Sequence, residues 1–352
     1  MIKVAIIGSG FGLYGLLPAF YSIKNCNVVG ISGKNSKRME DTCIKYNLKR
    51  YENWEKMIEV EKPDAIAIAV IPENQYKIAK MALENNIAVF AEKPLATSYQ
   101  QSLELSNIAT KKKLPNMVDF IFPEIPEWKK TKDIIDKCII GKITSVNITW
   151  SFLSYDLENE VNSWKTNISK GGGALSFYFS HIFYYLEFFL GKIKNLECNL
   201  SQNGKKMNDG ETKVTMKIFF ENKINCLVIL DIQNEHSQKH SLEFFSKDGS
   251  IVLSSHGRHS FDNFHLKINL KNKKNYFEKS IKLMQNENDD PRVKFVKLIA
   301  ERFIQWCNSK IPANPNFEDG LRVQKLIEIA KISNTKSRQI DIKDFNFTKY
   351  GV

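Results

Sequence analysis

Residues 1–15 read MIKVAIIGSGFGLYG, and they are the most informative part of the sequence about the type of fold. The apolar run at 3–7 predicts a buried strand, because the strands of a parallel sheet are covered on both faces. The turn Gly8-Ser9-Gly10 follows directly, and we expect a helix at 13–24. In dinucleotide-binding βαβ units the first glycine makes the tight turn, and the second lets the backbone approach a pyrophosphate. Although Leu13 stands where a third glycine is usual, this order indicates a dinucleotide site.

The rest of the first 121 residues alternates short apolar runs with amphipathic segments. Strands are expected at 27–32, 65–70, 88–91 and 116–119, and helices at 37–46, 72–85 and 98–112. Strands that alternate with helices form a parallel sheet with right-handed crossovers. We therefore predict an α/β protein whose residues 1–121 form a Rossmann domain with a parallel, doubly wound sheet.

The end of the second predicted strand bears on the choice of cofactor. A carboxylate there binds the ribose hydroxyls of NAD, whereas basic residues accommodate the 2′-phosphate of NADP. Residues 30–38 read GISGKNSKR and contain no carboxylate. Ser32, Gly33, Lys34 and Arg38 together suit a phosphate, so the sequence favours NADP and leaves NAD open.

A lysine follows the fourth predicted strand, in the segment Ala91-Glu92-Lys93-Pro94. Ligands of open α/β sheets gather at the carboxyl ends of the strands, so we expect Lys93 to face the nicotinamide. Pro94 restrains the backbone at this point. A partly desolvated lysine beside a cationic ring has a lowered pKa, which suits proton transfer.

The pattern changes after residue 121. A helix is expected at 124–139, and strands at 143–150, 214–220, 224–232, 242–246, 251–254 and 264–270. The polar stretch 271–288 predicts an excursion from these elements. Helices are expected at 291–309 and 317–334. We assign residues 122–352 to a second domain for substrate binding and oligomerisation.

Composition excludes several classes of protein. The formal net charge is +12, but the lysines are spread along the chain, which argues against a nucleic-acid partner. No apolar run is long enough to cross a membrane, and the start does not resemble a signal peptide, so we expect a cytoplasmic protein. The six cysteines and six histidines show no metal-binding spacing, so no metal site is expected.

Motifs along nearly the whole chain resemble the Gfo/Idh/MocA family of oxidoreductases. The resemblance rests on the glycine turn, Val70-Ile71-Pro72 with Gln75-Tyr76, Glu92-Lys93-Pro94, Trp164-Lys165, Gly171-Gly172-Gly173, His181, 240–243, 248–250 and 317–321. It implies a Rossmann domain followed by an α+β domain with a large, open, mostly antiparallel sheet. It also implies hydride transfer between a nicotinamide cofactor and a sugar, sugar nucleotide or cyclitol, in a homodimer or homotetramer.

The resemblance implies a role for each matching residue. Lys93 would relay a proton, and His181 would contact the reacting oxygen, although a core histidine remains the alternative. Trp164, Lys165 and Tyr184 are candidates for substrate binding, since aromatic rings stack on sugar faces. The candidate cofactor residues are Gly8, Ser9, Gly10, Phe11, Gly12, Leu13, Ser32, Gly33, Lys34, Arg38, Val70, Ile71, Pro72, Gln75, Glu92, Lys93 and Pro94.

The second half departs from the family pattern near the histidine. Many members read G-G-G-x-L-x-D-x-G-x-H-x-x-D, whereas this chain has Phe177, Phe179 and Tyr184 in place of the first aspartate, the last glycine and the final aspartate. Loss of a carboxylate from this position favours an altered chemistry. It leaves open a non-catalytic, dinucleotide-binding regulator or sensor, and a lyase-type reaction with retained cofactor.

Overall fold

The computed structural model describes residues 1–202, 209–257, 263–271, 276–278, 283, 289–343 and 345. The chain divides into two compact units. The first comprises Met1–Ile121 and Leu283–Gln324, and the second comprises Phe122–Lys282 and Lys325–Val352. Most of the predicted excursion at 271–288 lies outside the described residues.

The first unit is built on a six-stranded parallel sheet. Its strands are β1 (Ile2–Ile7), β2 (Cys26–Ser32), β3 (Arg50–Tyr51), β4 (Ala65–Ile68), β5 (Ala88–Ala91) and β6 (Asn116–Val118). They lie in the order β3-β2-β1-β4-β5-β6, which reverses direction at β1. The predicted parallel, doubly wound sheet is confirmed. In such sheets the ligand crevice opens where the order reverses, at the carboxyl ends of β1 and β4.

Helices connect these strands and cover the sheet. A π-helical turn (Gly12–Leu16) leads into α1 (Leu17–Tyr21), and α2 (Lys37–Tyr46), α3 (Trp54–Glu61), α4 (Pro72–Glu84) and α5 (Tyr99–Lys112) follow. α3 packs on β1 and β2, and α4 packs on β4 and β5. The apolar positions of β1 from Val4 to Ile7 are buried as a result.

Two late helices bear on the predicted domain boundary. α9 (Val293–Ser309) packs against α1, β1 and β5, with the ring of Phe303 5.8 Å from Phe90 and 6.3 Å from Phe20. α10 (Phe317–Lys336) begins with the backbone N–H of Phe317 donating to Asn116 Oδ1 at 2.7 Å. The second unit therefore differs from the predicted domain 122–352. The chain returns at 283–324 because the parallel sheet needs further apolar cover.

The second unit contains a large mixed sheet. Its strands are β7 (Ile143–Ser151), β8 (Ile193–Ser201), β9 (Lys213–Phe220), β10 (Asn225–Asp231), β11 (Lys239–Ser246), β12 (Gly249–His256), β13 (His265–Leu270), β14 (Tyr276–Glu278) and β15 (Ile340–Asp341). Among the described residues they lie in the order β14-β13-β12-β11-β7-β10-β9-β8-β15. Every neighbouring pair is antiparallel except β7 with β10. The expected open, mostly antiparallel sheet is confirmed.

An aromatic core fills the second unit beneath this sheet. α6 (Pro126–Asp136) packs on β12 and β13, and the helical elements α7 (Tyr155–Glu158) and α8 (Ser180–Leu190) complete the unit together with a π-helical turn, Leu175–Phe179. The Trp128 ring lies within 6 Å of the Tyr185, Phe189 and Phe264 rings. Packed aromatic rings of this size contribute most of the apolar burial in a domain.

Candidate active site

The glycine turn after β1 has the geometry that a dinucleotide requires. Gly8 has a φ of +138°, its backbone N–H donates to the Ser32 carbonyl at 2.8 Å, and a Cβ there would overlap the carbonyl oxygen of Ala69. Gly10 is different, because a Cβ there would meet nothing within 4 Å. The open space beside the Gly10 backbone fits the close approach of a pyrophosphate.

The helix after the turn begins irregularly. The Gly10 carbonyl accepts from the N–H of Leu13 at 2.9 Å, and the π-helical turn then runs into α1. The Phe11 ring lies against Gly15, where a Cβ would overlap it. α1 ends at Tyr21, so the helix is shorter than the predicted 13–24. Among the predicted cofactor residues, Gly12 and Leu13 are buried and Phe11 is partly exposed.

The end of β2 lies beside the glycine turn. A Cβ on Gly33 would come within 2.9 Å of the Ser9 Cβ, so these two predicted cofactor residues are neighbours. Ser32 is buried, whereas Lys34, three residues before α2 begins, and Arg38, in its first turn, are exposed. The Arg38 guanidinium lies 4.8 Å from the centre of the Tyr14 ring. Two cations at a helix N-terminus beside a glycine turn suit an anionic group.

The loop after β5, residues 92–95, contains Lys93 and is called the lysine loop below. A residue of α4 holds it in place. Gln75 is buried, and its side-chain N–H groups donate to the carbonyl oxygens of Glu92 (2.5 Å) and Pro94 (2.9 Å). The structure thus gives Gln75, a predicted cofactor residue, a part in holding the lysine loop. Val70 and Ile71 are partly exposed at the end of β4, and Pro72 is buried as the first residue of α4.

Lys93 lies at the carboxyl end of β5, as its position in the sequence predicts. The Glu92 N–H donates to the Ile68 carbonyl at 3.0 Å, which extends the ladder between β5 and β4. The Lys93 N–H donates to Glu92 Oε2 at 3.0 Å, and the Lys93–Pro94 peptide bond is cis. Lys93 is partly exposed, so its ammonium group can reach a ligand at this edge of the sheet.

Two residues near the lysine loop and the glycine turn, Asp119 and Arg292, were not predicted from the sequence. Asp119 is buried directly after β6, and its N–H donates to the Ala91 carbonyl at 2.9 Å. Arg292 precedes α9, and it pairs with both oxygens of Asp290, each at 2.8 Å. Its guanidinium also lies 4.4 Å from the centre of the Phe11 ring. Asp119 could have been predicted, because a polar residue directly after a parallel strand lies at the ligand edge of the sheet. Arg292 could not, because it belongs to a distant segment that no local pattern connects to the glycine turn.

In the second unit, the triple-glycine segment supports the candidate substrate residues. A Cβ on Gly172 would overlap the Trp164 carbonyl oxygen, and the Gly173 N–H donates to the Lys165 carbonyl at 2.7 Å. Gly173 has a φ of +93° and lies against the buried Glu211 carboxylate. Glu211 Oε1 accepts from the Leu175 N–H at 2.8 Å. Burial raises the pKa of Glu211, and this hydrogen bond opposes the shift.

Trp164, Lys165 and Phe177 come together. The Trp164 and Phe177 rings are 5.4 Å apart, edge to face, and Lys165 Nζ lies 5.3 Å from the centre of the Phe177 ring. Lys165 Nζ also lies 3.9 Å from Asp156 Oδ2, which accepts a hydrogen bond from Ser163 Oγ at 2.7 Å. The position of the family aspartate therefore holds an aromatic ring, and Asp156 supplies a carboxylate beside Lys165.

His181 and Tyr184 lie in α8. His181 is buried, and its ring is 5.1 Å from that of Phe122, whereas Tyr184 is partly exposed. The three-residue spacing places them on neighbouring positions of the helix surface. A second histidine, His240, stacks on Trp150 at 4.4 Å and shares a hydrogen bond with the Tyr185 hydroxyl at 3.2 Å. Burial lowers the pKa of His240 to about 3, so it is a neutral core residue.

Each unit therefore assembles its own group of predicted residues. The first brings together the glycine turn, the end of β2 and the lysine loop, and the second brings Trp164 and Lys165 together beside Phe177. In the described part of the chain, no cluster of three or more histidines, cysteines or carboxylates could hold a metal ion. No helix found there is long and apolar enough to cross a membrane.

Comparison with known proteins agrees with this class of fold and site. Residues 2–120 match an oxidoreductase family with an NAD-binding Rossmann fold, and residues 132–342 match the C-terminal alpha/beta domain of the same family. The chain therefore belongs to the Gfo/Idh/MocA family of oxidoreductases.

Individual relatives are distant. An uncharacterized oxidoreductase of Synechocystis sp., sll0816, is 24% identical over 98% of this chain and 97% of its own length. An oxidoreductase from Agrobacterium radiobacter, solved with NAD+, L-tartaric acid and magnesium, superposes with a TM-score of 0.84 at 17% identity, covering 97% of this chain and 98% of that one. The structure of levoglucosan dehydrogenase with NADH and levoglucosan superposes with a TM-score of 0.81 at 19% identity, covering 97% of this chain and 99% of that one. At these identities the structures show the fold alone.

Proposed function

We propose that this protein transfers a hydride between NADP and a hydroxyl or carbonyl carbon of a sugar, sugar nucleotide or cyclitol. The observation that carries the proposal is the lysine loop at the carboxyl end of β5. Two hydrogen bonds from the Gln75 side chain fix the backbone of this loop. The loop follows a strand of the parallel sheet, and the turn after the first strand of that sheet leaves open space beside Gly10. Levoglucosan dehydrogenase, whose fold matches along the chain, supports a sugar-like substrate.

The residues for cofactor binding divide by the part of the dinucleotide that they suit. The backbone of Ser9 and Gly10 offers N–H groups for the pyrophosphate, while Gly8, whose own N–H bonds to the Ser32 carbonyl, shapes the turn. Lys34 and Arg38 supply positive charge for a 2′-phosphate, and no carboxylate stands at the end of β2 to bind ribose hydroxyls. A bound nicotinamide supplies the acceptor or donor of the hydride. NADP is therefore the proposed cofactor, with NAD as the alternative.

Lys93 is the proposed proton carrier. Oxidation of a hydroxyl releases one proton from its oxygen as the carbon loses a hydride, and reduction of a carbonyl requires one. A partly exposed ammonium group on an anchored loop can exchange that proton with the substrate oxygen. We propose that His181 contacts the same oxygen, because it matches the histidine of the family motif.

Trp164, Lys165 and Tyr184 are the proposed substrate contacts. The Trp164 and Phe177 rings form a half-buried aromatic corner with Lys165 beside it, and a sugar face packs well against such rings. The cation favours a substrate with an anionic group, such as a sugar nucleotide. Phe177 also favours the rival function, a dinucleotide-binding regulator without turnover, because it removes a carboxylate that would orient hydroxyl groups.

The test begins with the dinucleotide released from the purified protein, identified by its mass and spectrum. Sugars, sugar nucleotides and cyclitols are then added with NADP or NAD while absorbance at the reduced-nicotinamide band is recorded. We expect turnover of one substrate class, and its loss in Lys93→Met with dinucleotide binding retained. Binding without turnover across the panel would favour the regulator, and failure to bind either dinucleotide would overturn both functions.

A further inference from the structure

Two carboxyl groups lie at the ends of the neighbouring strands β5 and β6, one of them on the residue before Lys93. Glu92 follows β5 and Asp119 follows β6, and the Asp119 N–H bonds to the carbonyl of Ala91, the residue before Glu92. The two side chains share a hydrogen bond. Glu92 Oε2 also accepts the backbone N–H of Lys93 at 3.0 Å. Glu92 belongs to the Glu92-Lys93-Pro94 motif, whereas Asp119 lies outside the motifs of the sequence.

A hydrogen bond between two carboxyl groups requires one of them to be protonated. Asp119 is only 2% exposed, and its Oδ1 has no hydrogen-bond partner among the described residues. An ionised carboxylate is costly in that setting, whereas a neutral acid donating from its other oxygen is not. Glu92 instead accepts a backbone N–H, which suits a carboxylate. The geometry thus places the shared proton on Asp119.

The electrostatics of the pair agree with this placement. Burial raises the pKa of Asp119 well above its usual range, and the negative charge of Glu92 raises it further. Burial also raises the pKa of Glu92, while the charge of Lys93 and the hydrogen bond from Asp119 oppose that shift. The charged groups that face the pair are Lys93 and Arg292, and Arg292 is itself bound to Asp290.

We propose that Asp119 is a positioning residue that holds one proton and thereby fixes a single negative charge, on Glu92, beside Lys93. The proposal rests on the proposed function, because it concerns how Lys93 exchanges protons. Two ionised carboxylates would hold Lys93 as an ammonium ion that cannot accept a proton from the substrate. With no negative charge, Lys93 would lose its own proton too readily to donate one.

The test measures the pKa of Lys93 directly and needs no substrate. Competitive acetylation at a series of pH values, followed by peptide mass spectrometry, gives the pKa of the individual lysine. Glu92→Gln removes the fixed charge, so we expect the pKa of Lys93 to fall by about one unit. Asp119→Asn keeps a neutral side chain that donates to Glu92, so we expect a shift below about a third of a unit.

Glu104→Gln is the matched control, because it removes a carboxylate of the same unit that bonds to Lys80 and Tyr76 instead. It should leave Lys93 unchanged. A shift in Asp119→Asn as large as in Glu92→Gln would overturn the proposal, and so would an unchanged Lys93 in both. Asp119→Ser, which keeps a neutral donor, replaces Asp119→Asn if that variant does not fold.

Infrared spectroscopy of the folded variants at neutral pH provides a second readout. The buried Glu211 can contribute a neutral-acid band of its own, so each variant is compared with the wild type by difference. The wild-type-minus-Asp119→Asn spectrum should show the carbonyl stretch of one neutral carboxylic acid, and the wild-type-minus-Glu104→Gln spectrum should show none. Absence of that difference band for Asp119→Asn would place the proton elsewhere and overturn the proposal. Failure of the sugar panel leaves both readouts interpretable, so failure of the proposed reaction and failure of this proposal give different results.

Discussion

Gly8 and Gly10 stand in one turn, yet a methyl group would meet different surroundings at each. A Cβ on Gly8 would overlap the Ala69 carbonyl at a φ of +138°, whereas a Cβ on Gly10 would meet nothing within 4 Å. We expect Gly8→Ala to lower the free energy of unfolding by about 3 kcal/mol. Gly10→Ala should keep its stability and lose dinucleotide affinity at least about tenfold, because the methyl group occupies the pyrophosphate approach.

Thermal unfolding and a titration of NADPH fluorescence measure the two effects separately. Each glycine variant serves as the control for the other. Unchanged dinucleotide affinity in a folded Gly10→Ala protein would show that this turn does not bind the pyrophosphate.

Arg38 provides a test of cofactor choice at the same scale. It is exposed near the N-terminus of α2, beside the Tyr14 ring. A charge-assisted hydrogen bond to a phosphate contributes about 1.5–3 kcal/mol, so Arg38→Ala should weaken NADP binding about 10- to 100-fold. NAD binding should change less than about twofold, since NAD lacks the 2′-phosphate.

Isothermal titration of both dinucleotides checks this prediction. Lys37→Ala is the matched control, because Lys37 is an exposed cation that immediately precedes Arg38 in α2. An equal loss of NAD and NADP affinity in Arg38→Ala would assign Arg38 to another part of the dinucleotide.

The residues that sequence reasoning identified in the first unit mostly follow strands. Lys93 and the glycine turn were predictable, because the carboxyl ends of parallel strands form the ligand edge of a sheet. Gln75 was expected to contact the cofactor, and its hydrogen bonds to the lysine loop depend on a tertiary approach that spacing does not encode. Arg292 was unpredictable for the same reason.

Among the secondary-structure elements, one amphipathic helix pattern and one short apolar run gave accurate boundaries. α2 was predicted at 37–46 and spans Lys37–Tyr46, and β5 was predicted at 88–91 and spans Ala88–Ala91. β3 was missed because two residues show no period, and β8 (Ile193–Ser201) because lysine, asparagine and glutamate interrupt its apolar positions. The sequence did not predict that α9 packs on the first unit, because an apolar helix face alone does not identify the surface that it covers.

The interior strand β11 carries a pH-sensitive residue, His240. Its pKa is lowered from 6.5 to about 3 by burial, so the folded state remains neutral where the unfolded chain takes up a proton. The folded pKa is the lower one, and the free energy of unfolding therefore declines as the pH falls from 6.5 towards 3. The expected slope from this residue is about 1.4 kcal/mol per pH unit.

Thermal unfolding between those pH values measures the slope. His240→Gln should show a flatter pH dependence than the wild type, and His265→Gln, an exposed histidine on β13, should not. An equal slope in wild type and His240→Gln would show that His240 is not the acid-sensitive group.

At the scale of the whole molecule, one face of the large sheet remains partly exposed. In β10, Cys226, Val228 and Leu230 are buried, while Leu227 between them is 41% exposed and Ile229 is partly exposed. An apolar position on the outer face of an open sheet favours association with a second copy. We expect a homodimer or homotetramer by sedimentation velocity.

Leu227→Lys should weaken that association at least about tenfold, because it would bury an unpaired charge in the interface. Leu227→Met, which keeps the apolar surface, is the control. A monomeric wild-type protein, or an unaltered assembly in Leu227→Lys, would contradict this assignment of the sheet face.

Hydride transfer is the central claim, and deuterium transfer measures it most directly. NADPH carrying deuterium at the nicotinamide C4 is incubated with the protein and a panel of keto sugars and keto sugar nucleotides, and the products are weighed by mass spectrometry. We expect a reduced product that carries deuterium on carbon with the wild type, and none with Lys93→Met. Bound NADPH with no deuterated product from any member of the panel, or transfer undiminished in Lys93→Met, would contradict it.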